Sequence, residues 1–158
     1  MASSSKNLSD YNSNNLPDVS KKRFAIVVSE WNEEVTGSLY SGAYETLLQH
    51  GVNPKNIVRK QVPGSFELSL AAQWCAQDDQ IDAVICLGCV IQGETRHFDF
   101  ICDAVAHGIT QVSLKYNKPV IFGVLTPNTQ QQALDRAGGK HGNKGDEAAI
   151  TAIKMLGF

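Results

Sequence analysis

No stretch of this 158-residue chain approaches the roughly 18 to 20 consecutive apolar residues that a membrane span needs. Neither sign of charge dominates either: 14 Lys and Arg stand against 16 Asp and Glu, a formal net charge of -2. The basic footprint of a nucleic-acid binder is therefore missing. Proline is scarce at five residues and the 13 glycines are ordinary usage, which excludes collagen-like and bulk low-complexity chains. With 42% apolar and 19% charged residues, the chain has room for one compact domain. Its chemistry must sit in particular side chains.

Cysteine is sparse as well. Cys75, Cys86, Cys89 and Cys102 each fall in an apolar periodic segment, not in the loops of a disulfide framework. Cys86 and Cys89 form C-x-x-C, but inside the apolar run Ala83 to Ile91, which reads as a buried strand. Residues three apart on a strand point to opposite faces, so the two sulfurs cannot meet on one metal or in one disulfide. No second pair completes a zinc site. Reduced core cysteines are expected, and no metal or cofactor.

Residues 1–22, MASSSKNLSDYNSNNLPDVSKK, hold almost nothing apolar and are expected to form a largely disordered tail ahead of a domain at 23–158. The tail has no apolar signal-peptide core, and it carries Asp10 and Asp18 with no Arg, unlike a transit peptide. A cytoplasmic protein is the expectation.

Beyond the tail, apolar runs alternate with helical patterns. Phe24 to Val28 is a near-continuous apolar run, as in a strand buried on both faces. From Glu33 to His50, Val35, Leu39, Ala43 and Leu47 recur at steps of four, and Gly51 would stop that helix. A strand over Asn56 to Val62 is broken by Pro63-Gly64, and Ser65 can cap a second helix carrying Leu68, Ala71, Ala72 and Cys75 inward. A third strand spans Ala83 to Ile91, and a third helix runs from about Arg96, with Phe98, Ile101, Cys102, Val105 and Ile109 on one face. Pro119 opens a fourth strand, Val120 to Leu125. A fourth helix spans about Thr129 to Ala137, a glycine-rich loop follows, and a last helix covers Asp146 to Leu156.

The order βαβαβαβαα implies a three-layer α/β/α sandwich around a four-stranded parallel sheet. Right-handed crossovers bring every strand's C-terminal end to one edge, and ligands of such sheets bind just outside it. Four segments arrive there: Ser29 to Asn32, Pro63 to Glu67, Gly93 to His97, and Thr126-Pro127.

Gly93-Glu94-Thr95 is expected to open a helix, where free N–H groups and the helix dipole suit a phosphate; Thr95 as a simple N-cap is the plainer alternative. His97 would sit in that helix's first turn, where electrostatics favour a neutral ring able to accept a proton; a solvated surface histidine is the plainer alternative. Trp31 follows the first strand with no period to bury it, so it packs on a neighbouring subunit or stacks on a flat ligand. Glu67 can complement a helix start or recognise hydroxyls and ring N–H groups. Arg136 ends a helix, a favoured place for a cation, and beside a glycine-rich turn it could also hold a phosphate; Lys140 and Lys144 add charge to that loop. From pattern alone the ligand is small, phosphorylated and ring-containing.

Four motifs then coincide: Pro63-Gly64-Ser65-Phe66-Glu67, Leu87 through Gly93-Glu94-Thr95-Arg96-His97 to Asp99, Phe122-Gly123-Val124-Leu125-Thr126, and Arg136 through Lys140-His141-Gly142-Asn143 to Gly145. In that order and at that spacing the chain resembles the lumazine synthase family, a flavodoxin-like fold, over about residue 23 to its end. The resemblance implies a transferase of riboflavin biosynthesis that joins 5-amino-6-(D-ribitylamino)uracil to 3,4-dihydroxy-2-butanone 4-phosphate. It implies that Trp31 stacks on the pyrimidine, that Ser65, Phe66 and Glu67 bind the ribityl chain, and that Cys89, Val90 and Ile91 line the ring's edge. Gly93, Glu94 and Thr95 would hold the phosphate together with Arg136, and His97 would move protons. Phe122 would close the pocket from an adjacent subunit, and Arg136 and Lys144 match positions that reach that shared site.

Two positions depart from the family's common pattern. Trp31 stands where Phe is common, and a larger indole should stack more strongly on flavin rings. Cys89 stands where many relatives carry Thr, an exchange a backbone contact survives. The family forms pentamers, some gathered into hollow shells; with no insertion in Gly138 to Gly145, a shell of roughly 60 subunits is expected over a free pentamer. The other readings are a flavin-storage module, which leaves His97 and Arg136 without a task, and a purely structural shell.

Overall fold

The computed structural model describes residues 16–158. Strand β1 (Phe24–Ser29) is buried along its whole length, as its apolar run requires, and leads into helix α1 (Glu33–Gln49). The four-residue stripe of α1 is packed away completely: Val35, Leu39, Ala43 and Leu47 are fully buried. The helix ends where expected, with Gly51 at φ 83°, a conformation glycine adopts freely. There follow β2 (Ile57–Val62), a 3-10 turn at Ser65–Glu67, α2 (Leu68–Gln77), β3 (Ala83–Cys89), α3 (His97–Tyr116) and β4 (Val120–Leu125). The chain closes with α4 (Gln130–Asp135), β5 (Ala137–Gly139), β6 (Gly142–Asn143) and α5 (Lys144–Leu156).

The four main strands form one parallel sheet in the order β2-β1-β3-β4. Helices α1 and α5 pack together on one face, α2 and α3 on the other. The alternation of β3 divides its side chains between two cores: Ala83, Ile85, Leu87 and Cys89 belong to the α1/α5 side, Val84 and Cys86 to the α2/α3 side. Cys86 and Cys89 thus face opposite layers, as their spacing on a strand dictates. The chain has the α/β, flavodoxin-like architecture expected of it.

Several boundaries differ from the sequence reading. The glycine-rich stretch after α4 is not a loop but a small antiparallel ribbon of β5 and β6, made possible by Gly138 at φ 101° and Gly142 at φ 77°. The fourth helix is shorter than Thr129 to Ala137: Thr129 caps it, its Oγ1 accepting from Gln132 N, and Ala137 already belongs to the ribbon. Helix α5 begins two residues earlier than Asp146, because the Asn143 side chain accepts from Gly145 N and caps the turn there. Of the expected tail, residues 1–15 lie outside the described residues. The remainder packs on the fold: Val19 is 1% exposed in the α1/α5 core, and Lys22 pairs with Asp82 at 3.2 Å. Among the described residues no helix is long and apolar enough to cross a membrane.

Candidate active site

The sheet itself makes the cleft. Strands β1 and β3 pair from Phe24↔Ala83 to Val28↔Leu87 and then part. The continuation of β1 turns outward, with Glu30 N donating to Val62 O (2.8 Å) and Trp31 N to Pro63 O (3.1 Å). The continuation of β3 turns the other way, with Val90 N donating to Leu125 O (2.8 Å) and Gln92 N to Pro127 O (3.0 Å). This fork lies where the strand order reverses, the place at which open parallel sheets bind ligands. It opens a cleft of about 420 Å³.

Trp31, Ser65, Phe66 and Glu67 form one wall of that cleft, and Cys89, Val90 and Ile91 the other, with His97 at the start of α3. Eight of the residues singled out in the sequence therefore meet in one place. The Trp31 indole is 72% exposed at the mouth, lying along Gly64, with a broad face open to a flat partner. Phe66 is also exposed. Glu67 does fulfil its local role: Oε2 accepts from Gly64 N at 3.0 Å and closes the 3-10 turn, which leaves its other oxygen able to accept from a ligand. Ser65 is buried against β3, and its Oγ has no partner among the described residues. It sits so close to Gly88 that a Cβ there would come within 2.5 Å of the hydroxyl. Burial pushes the Cys89 thiol up to about 11, so this cysteine is a neutral wall.

The segment expected to hold a phosphate is built differently from the sequence reading. Gly93, Glu94 and Thr95 are exposed but do not open the helix; α3 starts at His97, with Arg96 at its N-cap making no side-chain capping bond. The reason is the continued pairing of Val90 with Leu125 at the end of β4 and of Gln92 with Pro127 beyond it, which keeps the chain extended past the end of β3. Thr95 Oγ1 accepts from His97 N only at 3.4 Å. Three more of the expected residues do not line the cleft. Phe122 is 38% exposed on edge strand β4. Arg136 and Lys144 converge on the buried carboxylate of Glu147, and Arg136 Nη1 also donates to His141 O at 2.7 Å. Arg136 borders a second, smaller hollow of about 220 Å³ with Thr126, Pro127 and Gln132.

The cleft also holds residues the sequence reading did not assign to it: Asn32, Gly64 and Ile101. Gly64 and Asn32 sat in the junctions already recognised, and Ile101 follows His97 by one helical turn, so position was legible even where role was not. Glu147 was missed because nothing in an exposed-looking Asp146-Glu147 pair signals burial.

A family model described as 6,7-dimethyl-8-ribityllumazine synthase matches residues 21–158. A protein of that name from Cytophaga hutchinsonii is 68% identical over 156 residues, covering 99% of this chain and 98% of its own length. Another from Parabacteroides distasonis is 55% identical over 158 residues, covering 100% of this chain and 99% of its own. One from Flavobacterium johnsoniae is 54% identical over 155 residues, 98% of this chain and 82% of that protein.

Proposed function

The chain belongs to the 6,7-dimethyl-8-ribityllumazine synthase family, and we propose that it condenses 5-amino-6-(D-ribitylamino)uracil with 3,4-dihydroxy-2-butanone 4-phosphate in the penultimate step of riboflavin formation. The family makes it an enzyme, a transferase of riboflavin biosynthesis. The observation that carries the finer reading is the cleft at the β1/β3 fork, which an open indole, the Ser65–Glu67 turn and a histidine line together.

In this reading the pyrimidine stacks on Trp31, its edge lies along Cys89, Val90 and Ile91, and the ribityl hydroxyls reach Ser65, Phe66 and Glu67. The substrate amine adds to the ketone and water leaves to give an imine. Phosphate is then eliminated, and the second nitrogen adds to the remaining carbonyl and closes the ring as a second water leaves. Each step moves protons without net oxidation, and His97 serves as the shuttle. Holding two reactants in one cleft makes the bimolecular step effectively unimolecular, the larger part of the acceleration.

The phosphate rests on the backbone of Gly93, Glu94 and Thr95, with Arg136 of a neighbouring copy as its cation; Phe122 and Lys144 of that copy close the pocket. Their place outside this chain's own cleft supports a site shared between subunits. We infer pentamers assembled into a shell of roughly 60 chains, working in the cytoplasm.

Mixing the two substrates with the protein and following the fluorescence of the lumazine product tests the reaction. Turnover above the uncatalysed rate is expected; none would overturn it and leave a flavin-binding or structural role. Sedimentation tests the assembly, and a species of pentamer size would overturn the shell.

A further inference from the structure

Asn32 follows Trp31 directly and adopts the left-handed conformation, φ 62° and ψ 48°, one of two described non-glycine residues with positive φ. Asparagine tolerates this region better than most residues, at some cost. It occupies the N-cap of α1, where an asparagine side chain ordinarily accepts from the first N–H groups of the helix. Here it makes no such bond. The left-handed turn aims the side chain across the fork instead, and Nδ2 donates to Cys89 O at 2.9 Å. Among the described residues this is the one hydrogen bond joining the Trp31-Asn32 turn to the end of β3. It lies at the point where both backbones have turned their own donors outward, Trp31 N to Pro63 O and Val90 N to Leu125 O.

We propose that Asn32 is a positioning residue that sets the width of the ring slot by tethering the Trp31 turn to the Cys89 carbonyl. The inference rests on the proposed seating of the pyrimidine between Trp31 and the Cys89-Val90-Ile91 edge. Without the tether, the wall that bears the indole belongs only to β2, and the opposite wall only to β4. The slot is then held by two separate halves of the sheet, and a flat ring gains stacking on one side at the expense of its edge contacts on the other. The tether also occupies one lone pair of the Cys89 carbonyl, which fixes the direction of the backbone at Val90 and Ile91.

Two substitutions separate the tether from the backbone conformation. Asn32→Gly keeps the left-handed turn without strain and removes the donor. Asn32→Asp keeps the shape and much of the conformational tolerance, but sets a carboxylate against a carbonyl oxygen. Both should raise KM for 5-amino-6-(D-ribitylamino)uracil about tenfold, the size of one net hydrogen bond, with kcat within about twofold. KM for the ketone phosphate should not move. A second readout needs neither substrate: in a Trp74→Phe background Trp31 is the only indole, and its emission anisotropy should fall on Asn32→Gly. Wild-type KM or wild-type anisotropy in Asn32→Gly overturns the proposal. A fall in anisotropy in a protein that makes no lumazine from the two substrates would uphold the tether and overturn the reaction.

Discussion

Arg136 donates from Nη2 to Oε1 of Glu147 at 2.9 Å, and Glu147 is only 6% exposed. Lys144 Nζ meets the other oxygen of the same group at 3.1 Å. One buried acid thus holds two cations, and the guanidinium is further fixed by the carbonyl of His141. Removing the charge leaves the largely buried Arg136 guanidinium without its counter-ion, whereas the more exposed Lys144 can turn to water. Glu147→Gln should lower stability by about 3 kcal/mol, read by chemical denaturation. The same variant should raise KM for the phosphorylated ketone while leaving KM for the pyrimidine unchanged, because Arg136 loses its orientation.

His97 stands exposed at the first position of α3 and lines the cleft together with Trp31 and Cys89. In the proposed reaction it is the proton shuttle, needed for rate and not for binding. His97→Ala should cut kcat on the order of tenfold to a hundredfold, the low end for acid–base catalysis because proximity supplies most of the acceleration. Product affinity, measured by titration, should stay within experimental error of the original.

Trp31 presents an indole with nothing described stacked on it. A phenyl ring offers less area and a weaker stacking partner. Trp31→Phe should weaken riboflavin binding about three- to tenfold, measured by fluorescence quenching. Unchanged affinity would show that the flavin does not stack there.

All four cysteines carry thiols pushed above their ordinary value, chiefly by burial, with Cys89 up to about 11 and Cys86 higher still. The thiolate is the reactive form, so a raised value means slow alkylation until the pH climbs through it. At pH 8 iodoacetamide should modify the half-buried Cys75 and Cys102 first and spare Cys86 and Cys89 until the protein is denatured. Mass spectrometry of the labelled peptides checks the order.

Much of this was visible in the chain because period and burial agree. The apolar run of β1 and the four-residue stripe of α1 need no tertiary information, and the opposite facing of Cys86 and Cys89 follows from pleat geometry alone. The junctions that carry the cleft were legible for the same reason: polar and aromatic residues are conspicuous at the ends of buried strands. What escaped depended on contacts distant in sequence. Strand β3's continuation stays extended through Gln92 because it borrows partners from Leu125 and Pro127, so Gly93 to Thr95 stand ahead of α3, which starts at His97, one residue from the expected Arg96. Val19 is buried although its neighbours are polar, since one apolar residue suffices when a core has a gap to receive it. Asn32 stood only as the last residue of the Ser29 to Asn32 junction, and its left-handed backbone, which turns the side chain to Cys89 O, has no signal in the sequence.

Phe122, Arg136 and Lys144 stand off the cleft that Trp31 and His97 line. If those three complete a neighbour's site, the contact is head-to-tail: each chain lends one part and borrows another, and the series ends only by closing on itself. Activity then belongs to pairs of adjacent chains. A preparation of His97→Ala chains and one of Arg136→Ala chains, each impaired alone, would restore intact sites when unfolded and reassembled together, about a quarter of them at equal mixing. A cleft that needed nothing from its neighbour would recover none.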